Sequence, residues 1–215
     1  MNAFETPEGL NQKGPTARAF LGVGSNIRPE ENILAAVEIV KALPTTSRIR
    51  ASSFYRTPAL SPPGEPEGHR RQDADYLNGV LGIETSLEPN ELLRTLGGIE
   101  TVLGRVRSED KYSPRTMDLD LLLYLPSEEP GSGGSEPASS SSAPHSEMPT
   151  ASIPLPDPEI RTRAFVAIPL LELAPDLKLP PDGTPLRDVA SLFPGVGGEK
   201  AFWLNERLRE LLSAP

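Results

Sequence analysis

Two carboxylates stand at the start of an apolar run near the middle of the chain. Asp118 and Asp120 are separated by one residue, and leucines fill positions 121–123. In a strand, residues two apart point to the same side and lie about 7 Å apart. Two oxygen ligands on one face suit Mg²⁺, which also keeps positions for water and substrate phosphates. The pattern predicts a magnesium site, and it predicts that the alternate residues face a core: Met117, Leu119, Leu121 and Leu123.

Basic side chains precede this pair. The loop before the strand carries Arg105, Arg107, Lys111 and Arg115. Guanidinium groups bind phosphate oxygens with two parallel hydrogen bonds. Cations beside metal-binding carboxylates indicate phosphoryl transfer, in which catalysis is mainly positioning and charge neutralisation. Taken alone, the same residues are also typical of a solvated strand edge with surface salt bridges.

Composition narrows the class of protein. The 215 residues fit one domain, and the net charge of −9 argues against general nucleic-acid binding. The chain has no Cys and two His, which argues against disulfides, thiolate chemistry and multi-His metal sites. No apolar run reaches the length of a membrane span, and the N-terminus lacks the layout of a signal peptide. We expect a cytoplasmic monomer that acts on small molecules.

Two stretches have compositions that cannot bury a core. Residues 1–16 read as a disordered leader, and residues 126–152 as a disordered insert rich in Pro, Ser, Gly and Glu. The single domain predicted over residues 17–215 is interrupted by this insert. The polar, Pro-rich stretch from Thr57 to Ala74 is long enough to be a binding loop.

The periodicity of the remaining chain predicts the elements that hold the carboxylates. Strands are predicted over 17–23, 49–55 and 75–85 and at the carboxylates, with a turn over 22–26. Helices are predicted from Pro29 and Pro89, and again over 163–174, 186–192 and 201–212. Glu100 is expected on a different face of its helix from the buried leucines. The order β-α-β-β-α-β indicates an α+β, ferredoxin-like antiparallel sheet with helices on one face and extra C-terminal helices.

Several short motifs occur together in a characteristic order. They are Leu21–Asn26, Ser52–Pro58, Asp75–Asn78, Gly104–Arg107, Pro114–Asp120 and Arg163–Val166, followed by Pro169-Leu170 and Ala174-Pro175. In these motifs the chain resembles the 6-hydroxymethyl-7,8-dihydropterin pyrophosphokinase family of folate biosynthesis, over most of residues 18–182. The resemblance implies transfer of pyrophosphate from MgATP to the hydroxymethyl group of the pterin, with release of AMP.

The resemblance also implies roles for particular residues. Asp118 and Asp120 would hold two Mg²⁺ ions on ATP, and Arg105 and Arg115 would be the catalytic arginines. Expected ATP-binding residues are Glu100, Arg107, Lys111, Leu121, Asp157 and Arg163. Expected pterin-binding residues are Thr57, Pro58, Leu60, Tyr76, Asn78 and Phe165. A planar heterocycle needs an aromatic face and a few oriented polar groups, although Phe165 on its own also reads as a core aromatic.

The chain departs from the family pattern in its nucleotide loops. Asp157 occupies the position of a family His, Tyr112 that of a Trp, Ser113 that of a Gly, and Gly97 that of a polar side chain. A carboxylate near a triphosphate repels it unless Asp157 turns away or meets a cation such as Arg161. We therefore expect an active enzyme with a raised Michaelis constant for ATP.

Two other functions fit the same residues. The altered nucleotide loop and the acidic insert are also compatible with a catalytically weakened relative that binds pterin or nucleotide and regulates a partner. A metal-dependent phosphohydrolase is a third reading. It leaves Asn78, Phe165 and the Thr57-Pro58 loop without a shared purpose.

Overall fold

The fold is built on one six-stranded sheet. The computed structural model describes residues 17–59, 75–106, 113–127, 154–195 and 199–213. Within these ranges the main sheet contains β1 (Ala17–Ser25), β2 (Thr46–Ala51), β3 (Tyr55–Thr57), β4 (Tyr76–Thr85), β5 (Asp118–Pro126) and β8 (Glu199–Lys200), and a small second sheet contains β6 (Lys178–Leu179) and β7 (Thr184–Pro185). The helices are α1 (Pro29–Ala42), α2 (Pro89–Val102), α3 (Glu159–Thr162), α4 (Ala164–Leu173), α5 (Leu186–Ser191) and α6 (Phe202–Ser213).

The strand order places β1 and β4 in the middle of the main sheet. Neighbours run in the order β5-β1-β4-β3-β8, and β2 also pairs with β4. The pairings of these strands are antiparallel. This arrangement confirms the mixed α+β class with a mainly antiparallel sheet that the element order predicts.

Helices cover both faces of the sheet. Leu21 and Val23 of β1 contribute to a core with α1, α2 and α6. Phe20 of β1 and Val80 of β4 face a second core built with α3, α4 and α5. The two helices of the predicted β-α-β-β-α-β unit, α1 and α2, lie on one face, and the C-terminal helices α3, α4 and α5 cover the other, because the central strands are apolar on both sides. Leu123 is buried as predicted, but a β-bulge opposite Phe20 and Leu21 turns it into the second core instead of the first.

The predicted second strand is divided in two. β2 ends at Ala51 and β3 begins at Tyr55. Between them, the Ser52 side chain takes part in the pairing, since its Oγ accepts the Val80 N–H at 2.8 Å. A side-chain oxygen thus replaces a backbone carbonyl in the ladder, and the chain from Ser52 to Phe54 leaves regular strand geometry.

Two further boundaries differ from the sequence prediction. β1 continues through the glycines to Ser25, where a turn is expected, and β5 reaches Pro126, the first residue of the expected insert. The expected leader and residues 128–152 of the expected insert lie outside the described residues. In the described part of the chain, no helix has the length and apolar character needed to cross a bilayer.

Candidate active site

Three adjacent strands, β5, β1 and β4, bring a carboxylate and an amide into one row at one end of the sheet. Gly24 of β1 pairs with Asp118 of β5 on one side and with Asn78 of β4 on the other. Residues paired across antiparallel strands point to the same face, and neighbouring strands lie about 5 Å apart. The row Asp118–Gly24–Asn78 thus places the predicted metal ligand and the predicted pterin ligand one strand apart on each side of a glycine.

Gly24 allows this close approach because it has no side chain. A Cβ built at position 24 would lie 2.8 Å from Asn78 Oδ1 and 3.8 Å from Asp118 Cβ. Asn78 is fixed from its other end, because Asn78 Nδ2 donates to Thr57 Oγ1 at 2.7 Å. The Asn78 carbonyl oxygen therefore lies over Gly24, between Thr57 and Asp118.

Asp118 is paired with both predicted catalytic arginines. Arg105 Nη1 donates to Asp118 Oδ1, and Arg115 Nη1 donates to Asp118 Oδ2. Arg105 Nη1 also donates to the Met117 carbonyl at 3.3 Å. Each carboxylate oxygen of the predicted metal ligand thus has a cation beside it.

Glu100 connects Arg105 to the start of β5. The residue is 5% exposed, and its Oε1 accepts both Arg105 Nη1 and the backbone N–H of Leu119, the latter at 2.8 Å. The prediction that Glu100 lies on a different helix face from the buried residues is wrong. It follows Leu96 by four residues, and both belong to the buried stripe of α2. A carboxylate is stable there because it is hydrogen-bonded and paired.

The end of β1 fixes Arg115. Asn26 Oδ1 accepts the Arg115 N–H at 2.7 Å, and the Asn26 N–H donates to the Arg115 carbonyl at 3.1 Å. Ser25 Oγ donates to the Thr116 carbonyl at 2.6 Å. The Gly24-Ser25-Asn26 segment therefore positions the second arginine and the start of β5, a role that the sequence did not predict. The available signal was a Gly-Ser-Asn motif directly after an apolar strand.

Asp120 lies in a concentration of negative charge. The residue as a whole is exposed, but its carboxyl loses hydration to the surrounding protein and is repelled by Asp118, Asp157 and Glu100. These effects raise the pKa of Asp120 to about 7, against the opposing effect of Arg105. Counted over the described residues of this group, four carboxylates against Arg105 and Arg115 leave an excess of two negative charges. A divalent cation would offset that excess.

The donor set fits magnesium. Among the described residues, no three His, Cys, Asp or Glu side chains gather as a metal cage. Mg²⁺ does not need one, because it binds through one or two carboxylates and completes its shell with water and substrate phosphates. Asp118 and Asp120 would hold it.

Asp157 is only partly turned away from this cluster. Its Oδ1 accepts the Glu159 N–H at 2.7 Å, and its own N–H donates to the Leu122 carbonyl of β5 at 2.8 Å. Arg161 does not neutralise it, since Arg161 pairs with Asp182 at 2.7 Å. Asp157 still contributes to the raised pKa of Asp120. Asp157 therefore repels Asp120 in the fold, and its effect on a bound triphosphate stays a prediction.

The remaining predicted residues are placed less directly. Phe165 is half-buried against the second core, and Tyr76 Oη donates to the Ser113 carbonyl at 3.4 Å. Arg163 precedes α4 and lies 3.7 Å from Glu159. Leu121 is buried in the first core, on the opposite face of β5 from Asp120, so a nucleotide contact there would fall to its backbone. Pro58 is exposed, and Leu60, Arg107, Lys111 and Tyr112 lie outside the described residues.

Comparison with known proteins identifies the family. The family model for 7,8-dihydro-6-hydroxymethylpterin-pyrophosphokinase matches residues 20–175, which include the Asp118–Gly24–Asn78 row and both arginines. The chain belongs to this pyrophosphokinase family. Proteins named 2-amino-4-hydroxy-6-hydroxymethyldihydropteridine pyrophosphokinase are similar along most of their length. The one from Pseudomonas aeruginosa is 34% identical over 184 residues, covering 85% of this chain and 96% of its own.

Two other relatives with the same name agree with this assignment. The protein from Methylorubrum extorquens is 37% identical over 161 residues, which cover 74% of this chain and 84% of its own. The protein from Bacillus subtilis is 33% identical over 156 residues, which cover 72% of this chain and 77% of its own. The chain therefore spans most of each pyrophosphokinase relative.

The close approach at Gly24 gives a test of the row. Gly24→Ala should raise the Michaelis constant for the pterin about tenfold, because the new methyl group displaces Asn78 Oδ1 or breaks the Asn78–Thr57 hydrogen bond. Steady-state kinetics on Gly24→Ala, Asn78→Ala and the double variant measure this. If the effect acts through Asn78, adding Gly24→Ala to Asn78→Ala should change nothing further. Independent, additive effects in the double variant would contradict the contact.

Proposed function

We propose that this chain transfers pyrophosphate from ATP to 6-hydroxymethyl-7,8-dihydropterin, with Asp118 and Asp120 holding two Mg²⁺ ions on the triphosphate. The observation that carries the proposal is the row in which only β1 separates the strand of Asp118 and Asp120 from the strand of Asn78. A phosphate donor held at β5 and a pterin held at β4 would meet above Gly24. Family membership supplies the reaction, and this geometry supports the assignment of its two halves to these residues.

The reaction needs charge neutralisation at one bond. The pterin hydroxyl oxygen would attack the β-phosphorus, the bond from that phosphorus to the α–β bridging oxygen would break, and the hydroxyl proton would be lost as AMP leaves. Negative charge builds on the leaving oxygen, so cations placed there stabilise the transition state more than the ground state. Bound Mg²⁺ would neutralise phosphate charge and orient the triphosphate.

Arg105 and Arg115 would stabilise the negative charge on the α–β bridging oxygen after their partner changes from Asp118 to phosphate. Both arginines donate to Asp118, so a metal ion on Asp118 would compete with the arginines and a phosphate on the arginines would compete with Asp118. Binding of magnesium and triphosphate would give Asp118 a new cation and the arginines a new anion. Glu100 and Asn26 would hold both arginines close during that exchange, because their contacts do not involve Asp118 oxygens.

The acceptor side would depend on Asn78. Its Nδ2 is committed to Thr57, which leaves the Oδ1 toward Gly24 to accept from the amide edge of the pterin. Phe165 at the start of α4 would supply an aromatic face. Monomeric state, cytoplasmic location and the ATP roles of Arg107, Lys111 and Arg163 stay predictions.

Release of AMP tests the proposed function directly. Protein incubated with MgATP and the hydroxymethyl dihydropterin should form AMP and pterin diphosphate, and neither substrate alone should give AMP. Arg105→Ala and Asp118→Ala should each lower kcat by about a hundredfold or more, because each removes charge stabilisation of the transition state. Glu206→Ala, an exposed change on α6, serves as the control.

Other outcomes of this assay support the competing functions. Pterin binding without AMP would favour a weakened regulatory relative. Phosphate release from ATP without pterin would favour a phosphohydrolase. Either result would overturn the proposed reaction.

The acidic residue at position 157 gives a separate test of ATP binding. Asp157→His should lower the dissociation constant for MgATP several-fold, because it removes a negative charge that acts on Asp120. Calorimetric titration with a non-hydrolysable ATP analogue and Mg²⁺ measures the change. Asp182→Asn is the matched control, since it removes a carboxylate that pairs with Arg161. Unchanged or weaker binding by Asp157→His would contradict this account of position 157.

A further inference from the structure

The C-terminal helix binds the backbone N–H and C=O of one residue, Phe54, in the chain segment that enters β3. Asn205 Oδ1 accepts the Phe54 N–H at 2.8 Å, and Asn205 Nδ2 donates to the Phe54 carbonyl at 3.3 Å. The Ala201 N–H donates to the same carbonyl at 2.9 Å. Asn205 is 8% exposed and lies on α6, beyond residues 20–175 that the family model matches. These contacts make Phe54 an anchor point between α6 and the sheet.

An asparagine is suited to this position because its amide both donates and accepts. It satisfies the N–H and the C=O of one residue at once, as a neighbouring strand would. Phe54 falls in the gap between β2 and β3, where regular pairing is lost. Without Asn205, the Phe54 N–H would be a buried donor with no partner, which is costly.

β3 is short, and it carries the contact that orients Asn78. Its three residues pair with β4, so that Tyr55 is opposite Asn78 and Thr57 is opposite Tyr76. The Thr57 hydroxyl, three residues after Phe54, accepts from Asn78 Nδ2. A displacement of Phe54 along the strand would move Thr57 relative to Asn78.

The Phe54 ring adds a second constraint on the same place. The ring is fully buried, and it packs on the backbone of Gly79, where a Cβ would lie 2.8 Å from three ring atoms. Gly79 directly follows Asn78. Phe54 therefore contacts β4 beside Asn78 through its ring, while its backbone is held by Asn205.

We propose that Asn205 is a positioning residue for the pterin side of the active site, acting through the Phe54 backbone on Thr57 and Asn78. This inference rests on the proposed function, because it takes Thr57 and Asn78 as pterin-binding residues. The inference adds the C-terminal helix to the elements that position the active site. Asn205 acts at a distance, since in the described part of the chain its side-chain hydrogen bonds go to the backbone of Phe54.

Kinetics with matched variants test this role. Asn205→Ala should raise the Michaelis constant for the pterin about tenfold and leave the value for ATP and kcat within about twofold. Asn205→Asp keeps the acceptor for the Phe54 N–H and should show a smaller rise. Leu208→Ala, which removes core packing from the same helix but leaves the Asn205–Phe54 hydrogen bonds in place, should lower Tm but leave the pterin constant within about twofold.

Hydrogen exchange supplies a readout that does not depend on turnover. Amide exchange is measured by mass spectrometry on peptides covering residues 52–57, with each variant at the same interval below its own Tm. Exchange should be faster in Asn205→Ala than in Leu208→Ala. If Leu208→Ala raises the pterin constant as much as Asn205→Ala, or if the ATP constant rises equally, the positioning role is wrong. Failure of the wild-type protein to form AMP would instead refute the proposed function, and the exchange comparison would still report on the Phe54 contact.

Discussion

The shared pairing of Asp118 with Arg105 and Arg115 is the interaction on which the site depends. The Asp118 carboxylate at the start of β5 pairs with two guanidinium groups. The groups proposed for metal binding and for phosphate binding therefore neutralise one another. A half-buried charge needs such a partner, because removing it leaves an unpaired charge in a poorly hydrated place. In the proposed reaction, Mg²⁺ would replace the arginines beside Asp118 and the triphosphate would replace Asp118 beside the arginines, so that both halves of the cluster would exchange partners together.

Neighbouring elements of the fold fix the positions of the residues in this cluster. Glu100 holds Arg105 and the start of β5 from α2, and Asn26 holds Arg115 from the end of β1. Gly24 lies between Asn78 and Asp118 on the strand that separates them. The side proposed to bind the pterin is held by α6, which anchors the segment that leads into β3. Elements from β1 through α2 to α6 therefore position the side chains at one end of the sheet.

Local patterns in the sequence predicted much of this arrangement. Alternation placed Asp118 and Asp120 on one face, and helical spacing located α1, α2, α4 and α6 to within a few residues. Contacts between distant residues were not predictable in this way. Glu100 was expected on a different helix face from the buried leucines, because its burial depends on an arginine five residues later and on a backbone N–H in β5. Gly24 looked like a turn residue because its neighbours Asn78 and Asp118 are distant in sequence.

Side-chain NMR of the two arginines tests the central claim most directly. In ¹⁵N-labelled protein, with signals assigned by Arg105→Lys and Arg115→Lys, the Nε–H resonances are followed as Mg²⁺ and a non-hydrolysable ATP analogue are added. Exchange of partners predicts that both resonances shift together at saturation. It also predicts that Asp118→Asn alters both resonances before any ligand is added. Binding of the analogue, seen by calorimetry, with both arginine resonances unmoved would contradict the account.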